Sequence, residues 1–185
     1  VRHLKHIRVY SPTPENRRAF IAKLEKLFPA LTLLDAQSVE EAVKDAPIVT
    51  VVTRAKAPIL TASMLASGAH LNAVGAITPE REEFTQDVFG RVGAIAVDSV
   101  ESVKSLSAEF RKRFGDGDWS SVRPLSELVA AKAKRPPGAD ITLFKAMGMG
   151  LSDLALGIEI LKRVREKGGG RAIPHPKPAQ PRLVR

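Results

Sequence analysis

Four consecutive charged residues, Glu80 to Glu83, follow a short apolar run and a glycine turn in HLNAVGAITPEREEF, residues 70–84. An apolar run that ends in small residues and then in charge is how an open α/β sheet presents the carboxyl end of a buried strand to a ligand. Asn72 stands inside the run, and an amide among apolar neighbours must find a partner. Thr50 and Thr53 lie in a second apolar run, PIVTVVT, where their hydroxyls suit a phosphate or an amide, although β propensity alone also puts threonine in strands. A third set, Ser11, Thr13, Asn16 and Arg17, follows HIRVY with no acid before Glu15. At the end of a nucleotide-binding strand, hydroxyls and a guanidinium favour a ribose 2′-phosphate over a plain 2′-hydroxyl. The competing reading is an ordinary helix start with a solvated basic face.

Other chemistries lack their residues. There is no cysteine, so thiol nucleophiles, disulfides and thiolate metal sites are all excluded. His3, His6, His70 and His175 show no metal-ligand spacing. The fingerprint G-x-G-x-x-G occurs after no strand. GMG at 148–150 comes nearest, but the next fingerprint glycine would fall on Asp153, so a tight turn before a helix is the simpler expectation. The charges of residues 80–83 could themselves open a helix, where acids complement the dipole.

The net charge of +9 raises nucleic acid as a partner, and its distribution argues against that. Arg171, Lys177, Arg182 and Arg185 crowd into the last 18 residues and Arg2, Lys5 and Arg8 into the first eight, which leaves the long middle nearly neutral. With one Trp and one Tyr there is little material for stacking bases. An anionic cofactor and a solvated basic tail explain the charge better. No apolar stretch approaches membrane-spanning length, and the opening VRHLKHIRVY has no apolar signal core, so a cytoplasmic protein is expected.

The elements that must carry these residues read as alternating strands and helices. Strands are expected at 6–10, 31–34, 47–53, 70–74, 93–99 and 141–145. Helices are expected after Pro14, after Ser38 with Glu41 completing a capping box, at 60–66, at 107–114, within PLSELVAAKAK and at 151–167. In the first helix Ala19, Phe20, Leu24, Leu27 and Phe28 form an apolar face. The continuous β-branched run at 47–53 lacks alternation, which predicts cover on both faces, as in a parallel sheet. The fold class is therefore α/β, a doubly wound, mostly parallel and Rossmann-like sheet over residues 1–170, followed by a Pro-rich basic tail at 171–185.

The stretches HIRVYSPTPENRRAF, SVEEAVKDAPIVTVVT, SGAHLNAVGAITPEREEF, AIAVDS and ITLFKAMGMGLSDLALG together resemble the ornithine cyclodeaminase/mu-crystallin family of cyclodeaminases, archaeal-type alanine dehydrogenases and ketimine reductases. The resemblance implies an NAD(P)-binding domain, a separate substrate domain, usually a homodimer, and chemistry through an imine of a small amino or imino acid. It also implies that Thr53, Asn72, Val74 and Gly75 line the nicotinamide and that Ser11, Thr13 and Arg17 face the adenosine, with NADP(H) slightly preferred. Lys145, Met147 and Gly148 would return toward the active site.

Two departures shape the expectation. The family's Gly-rich phosphate loop, its first strand and its substrate domain would precede Val1, so the chain reads as the C-terminal portion of such a protein, incomplete at its N-terminal end. Such a portion should bind NAD(P) weakly and catalyse nothing by itself. Without that first strand, the run at 47–53 should either pair with HIRVY or leave an open edge. The second departure is Ile77 in GAITPE, where by the resemblance cyclodeaminases and the alanine dehydrogenase branch carry an acid. An isoleucine shuttles no proton, so imine reduction or amino-acid dehydrogenation is favoured over ornithine deamination. A non-catalytic binding protein is the alternative.

Overall fold

The computed structural model describes residues 3–171, 173 and 174. The chain forms two compact units, Val1–Gly148 and Met149–Arg185. The first unit holds β1 (His6–Val9), α1 (Pro14–Leu27), β2 (Thr32–Asp35), α2 (Val39–Val43), β3 (Ile48–Val51), β4 (His70–Ala73), β5 (Val92–Val97), α3 (Val100–Leu106), α4 (Ala108–Phe114), β6 (Val122–Pro124), α5 (Leu125–Ala130) and β7 (Ile141–Lys145). The second holds α6 (Gly150–Glu166). Apart from Arg171, Ile173 and Pro174, the basic tail lies outside the described residues.

All strand pairings are parallel. β1 and β2 form a two-stranded sheet, and the other five form a sheet in the order β3-β4-β7-β5-β6. The last strand in sequence thus sits in the middle, between β4 and β5. This is the α/β, Rossmann-like architecture expected. Of the two outcomes open to β3, the structure takes the open edge: β1 pairs only with β2 and β3 only with β4 among the described residues.

Local signals explain most boundaries. Pro14 stands at the start of α1, where its missing N–H leaves no helical bond unmade. Ser38 Oγ accepts from Glu41 N at 3.1 Å and opens α2, while Glu41 Oε2 reaches back to Gln37 N at 2.6 Å. At the other end of α2 the Arg8 guanidinium takes the carbonyls of Glu41 and Lys44, matching a cation to the negative end of a helix. Gly168, at φ +63, follows α6.

One face of the five-stranded sheet carries the core. Val49, Val51, Leu71, Ala73, Ile95, Val97, Ile141 and Leu143 are buried there with Phe84, Val88, Val103 and Phe110. Phe89 packs edge-on against Phe84 and Phe110, at centroid distances of 5.4 and 5.2 Å.

Four expectations need correction. Cover on both faces of β3 fails in the first unit, where Thr50 and Val52 alternate outward and are exposed. The apolar face of α1 is not its buried face. Arg17 and Ile21 are buried, while Phe20, Leu27 and Phe28 are about half exposed, because the contact α1 makes is with β2 and the strand ends rather than with a deep core. The helix expected at 60–66 is a single tight turn, Ala62–Met64. The charged run 80–83 opens no helix, because one of its members, Glu83, is drawn into the interior. In the second unit, Leu151, Leu154, Leu156, Ile158, Ile160 and Leu161 of α6 are all exposed.

Candidate functional site at the strand ends

The carboxyl ends of β3 and β4 are tied together by a buried carboxylate. The ladder between them continues past the strands, with Val74 N donating to Val51 O at 2.9 Å. The next rung of a parallel ladder would join Ala76 N to Thr53 O. Glu83 takes its place. Glu83 Oε1 accepts from Thr53 N at 2.6 Å and Thr53 Oγ1 at 2.9 Å, and Oε2 accepts from Gly75 N at 2.8 Å and Ala76 N at 3.1 Å. Four donors fill the lone-pair capacity of a carboxylate, which is why a charge can sit here with no exposed surface. Gly75 is required by the same closeness. A Cβ there would lie 2.1 Å from Thr53 N and 2.3 Å from Glu83 Oε1.

Below this junction lies a second buried layer. Glu83 N donates to Glu109 Oε1 at 3.0 Å, Ser107 Oγ donates to Glu109 Oε2 at 2.8 Å, and Lys145 Nζ stands 3.8 Å from that same oxygen. Lys145 Nζ also donates to Ala76 O at 2.7 Å. Burial pushes the Lys145 ammonium below its ordinary pKa, and the charges of Glu109, Glu83 and Asp98 oppose that shift. Lys145 was expected to touch a cofactor. Its side chain is fully enclosed, so it acts on the strand ends from beneath, through Ala76, and offers no surface to a ligand.

The ends of β5 and β7 meet in a comparable way. Asp98 Oδ2 accepts from Met147 N and Gly148 N, both at 2.8 Å, and Oδ1 accepts from Ser99 N at 2.8 Å. Gly148 adopts φ +83, a conformation that favours glycine. Met147 is buried and Gly148 is at the surface.

At the ends of β1 and β2, Arg17 is consumed by the fold. Its Nε pairs with Asp35, its two terminal nitrogens donate to Ser11 O at 2.9 Å and Gln37 Oε1 at 3.0 Å, and its carbon lies 6.0 Å from the Tyr10 ring centroid. The guanidinium expected to receive a 2′-phosphate therefore has every nitrogen occupied. Ser11 is half-buried, and Thr13 stands before the first turn of α1 with its side chain free of any capping bond.

Asn72 finds its partners along the sheet. Its Nδ2 donates to Thr50 Oγ1 at 3.3 Å and its Oδ1 meets His70 Nε2 at 3.1 Å, while His70 Nδ1 meets Thr142 Oγ1 at 2.7 Å. This polar stripe crosses β3, β4 and β7 on the face opposite the core.

The structure thus brings Thr53, Val74 and Gly75 together over Lys145, and Met147 together with Gly148. It places Ser11 and Thr13 in the connection from β1 to α1 and Arg17 in α1, beside the separate two-stranded sheet. Three acids escaped the sequence reading, Asp98, Asp35 and Glu109, and a fourth, Glu83, was read only as a member of the charged run 80–83. Asp98 and Asp35 carried a signal, an acid closing an apolar strand in AIAVD and TLLD. Glu83 carried a weaker one, the acid directly before Phe84. Glu109 carried none. Among the described residues no group of His, Asp and Glu could hold a metal ion.

Known proteins share this fold. The family model of the ornithine cyclodeaminase/mu-crystallin family matches residues 1–168. A Delta(1)-pyrroline-2-carboxylate reductase of Bacillus cereus is 27% identical over 179 residues, covering 94% of this chain and 54% of the relative. The ketimine reductase mu-crystallin of Mus musculus is 32% identical over 152 residues, covering 81% of this chain and 44% of the relative. The structure of the Thermococcus litoralis Delta(1)-pyrroline-2-carboxylate reductase, in complex with NADH and L-proline, superposes with a TM-score of 0.80 at 26% identity, covering 91% of this chain and 53% of that one. The chain spans about half the length of the relatives it matches. With a family model over nearly its whole length and the fold of these reductases, this chain belongs to the ornithine cyclodeaminase/mu-crystallin family.

Proposed function

We propose that this chain is the nicotinamide-dinucleotide-binding part of an imine reductase acting on a small imino acid. The observation that carries the reading is the joined end of β3 and β4, where Thr53, Val74 and Gly75 form a rigid surface at the place where an open parallel sheet receives a ligand. When bound, the cofactor supplies a hydride to the imine carbon. The residues of this chain hold and orient it: Thr53, Val74 and Gly75 toward the nicotinamide, Ser11 and Thr13 toward the adenosine, Met147 and Gly148 toward the reacting end. Asn72 belongs to the sheet that carries the nicotinamide residues. Ile77 stands on the exposed turn after Ala76 and moves no proton, which supports reduction over ammonia elimination. Relatives named for imine reduction support the same chemistry.

Because Arg17 is committed to Asp35, the reading favours NAD(H) over the phosphorylated cofactor that the sequence suggested. The isolated chain is expected to bind weakly, and the whole protein to work as a homodimer. A cofactor-binding protein without turnover is the second reading, which Ile77 also allows.

An amide NMR titration of the chain with NADH tests the proposal. NADH should shift Val74, Gly75, Ser11 and Thr13, and AMP should shift only Ser11 and Thr13. NADH at millimolar concentration that leaves Val74 and Gly75 unmoved would sink it.

A further inference from the structure

The donors and acceptors at the β3–β4 junction divide unevenly. Thr53 N, the Thr53 hydroxyl proton, Gly75 N and Ala76 N are all spent on Glu83, and Val74 N is spent on Val51 O. Since a carboxylate only accepts, the Thr53 hydroxyl must donate to it. That leaves the hydroxyl oxygen as an acceptor, with one lone pair already taken by Ala55 N at 3.2 Å. On the acceptor side, no backbone N–H among the described residues donates to the carbonyls of Thr53, Val74 or Gly75, and of these Thr53 O lies close against Gly75. Ala76 O differs, since Lys145 already fills it. What residues 53, 74 and 75 have left to offer a ligand is therefore acceptors alone.

We infer that Glu83 is a positioning residue that sets ligand specificity: by absorbing every donor at this junction it makes the surface selective for a group that donates hydrogen bonds, the carboxamide NH2 of a nicotinamide, and unreceptive to anionic oxygen. Without Glu83, even with Ala76 N closing the ladder on Thr53 O, the same strand ends would present the N–H groups of Thr53 and Gly75 and a hydroxyl, a set that attracts phosphate or carboxylate. Glu83 is held for this task from two sides. Its own N–H donates to Glu109, and Lys145 grips Ala76 O, so the turn at 75–76 is fixed above and below. The inference rests on the cofactor reading proposed above and deepens it. It assigns the polarity of the nicotinamide end to a residue that touches no ligand.

The test compares binding of NADH and its 3-acetylpyridine analogue, in which a methyl ketone replaces the carboxamide and the NH2 donor is lost. The chain should bind NADH about tenfold more tightly than the analogue, the worth of one hydrogen bond with its acceptor desolvated. Glu83→Gln brings a donor into the junction and releases the Thr53 hydroxyl, so the ratio should fall to within about threefold. Thr53→Val should lower the ratio in the same way and Thr53→Ser should keep it, which gives a second arm if the Glu83 variant fails to fold. Hydrogen exchange without cofactor reports the hold of Glu83 by itself. The amides of Thr53, Gly75 and Ala76 should be protected in the natural sequence and exposed in Glu83→Gln. An equal affinity for both dinucleotides, or an unchanged ratio in both Glu83→Gln and Thr53→Val, overturns the inference while leaving the cofactor reading intact. Absence of any NADH binding overturns both.

Discussion

Gly75 and Lys145 show how narrowly the junction is drawn, one for want of space and the other for want of water. A methyl group at position 75 meets backbone on one side and the anchoring carboxylate on the other, neither of which is the free end of a flexible chain. Gly75→Ala should therefore cost about 1–3 kcal/mol of unfolding free energy, read from urea midpoints. Lys145 poses the opposite case. A buried ammonium below its ordinary pKa is a burden by itself, but Glu109 and Ala76 O are arranged around it. Lys145→Met removes the cation and leaves Glu109 enclosed and uncompensated. A loss of about 3–5 kcal/mol is expected in the same measurement, although the replacement is apolar and similar in length. An unchanged midpoint in either variant would show that the junction relaxes more than its geometry allows.

Among the elements, one local contact and one long-range contact show what sets the outcome. Ser38 and Glu41 were legible as a capping pair because the spacing is local, and the structure has Ser38 accept from Glu41 N. Ser38→Ala should lower stability by about 1 kcal/mol and speed exchange of the Glu41 amide. The amino end of β7 depends on partners distant in sequence. Asp140 accepts from Arg91, from Ser67 Oγ and from Gly68 N, which hold its carboxyl well below the usual carboxylate range. A carboxylate whose folded pKa is depressed stabilises the fold above its unfolded pKa of about 4, and that stabilisation fades as pH falls below it. Asp140→Asn should accordingly be less stable than the natural chain at pH 7, and the gap should narrow steadily below pH 4. A gap that stays constant across that range would remove Asp140 from the account. Six of the seven strands among the described residues were readable from apolar and β-branched runs bounded by Pro and Gly, whereas the three-residue β6 was not expected. The helix expected at 60–66 was not borne out, since its apolar residues are used as a turn beneath Glu83, with Ile59 N and Leu60 N donating to Glu83 O.

For the molecule as a whole, β1 and β3 each keep a side without a strand partner among the described residues, and Leu4, Phe20, Leu27, Phe28 and Leu34 stay exposed around β1, α1 and β2. Unpaired parallel edges and large apolar side chains at the surface invite association. The sedimentation coefficient should rise with concentration, and Phe20→Asp with Phe28→Asp should abolish the rise; a concentration-independent monomer would refute this. No helix among the described residues is long and apolar enough to cross a membrane. The sequence by itself determined the alternation of strands and helices, the parallel α/β class, the family and the turn at Gly75, because periodicity, turn residues and motif spacing are properties of neighbouring positions. Only the tertiary structure decided that β7 lies between β4 and β5, that Arg17 is spent on Asp35 and that Lys145 is enclosed. It alone decided that one acid of the three in a charged run is buried beneath two strand ends. Those outcomes depend on which donors and charges meet across 18 to 72 residues of chain, and a pattern of nearest neighbours carries no record of such meetings.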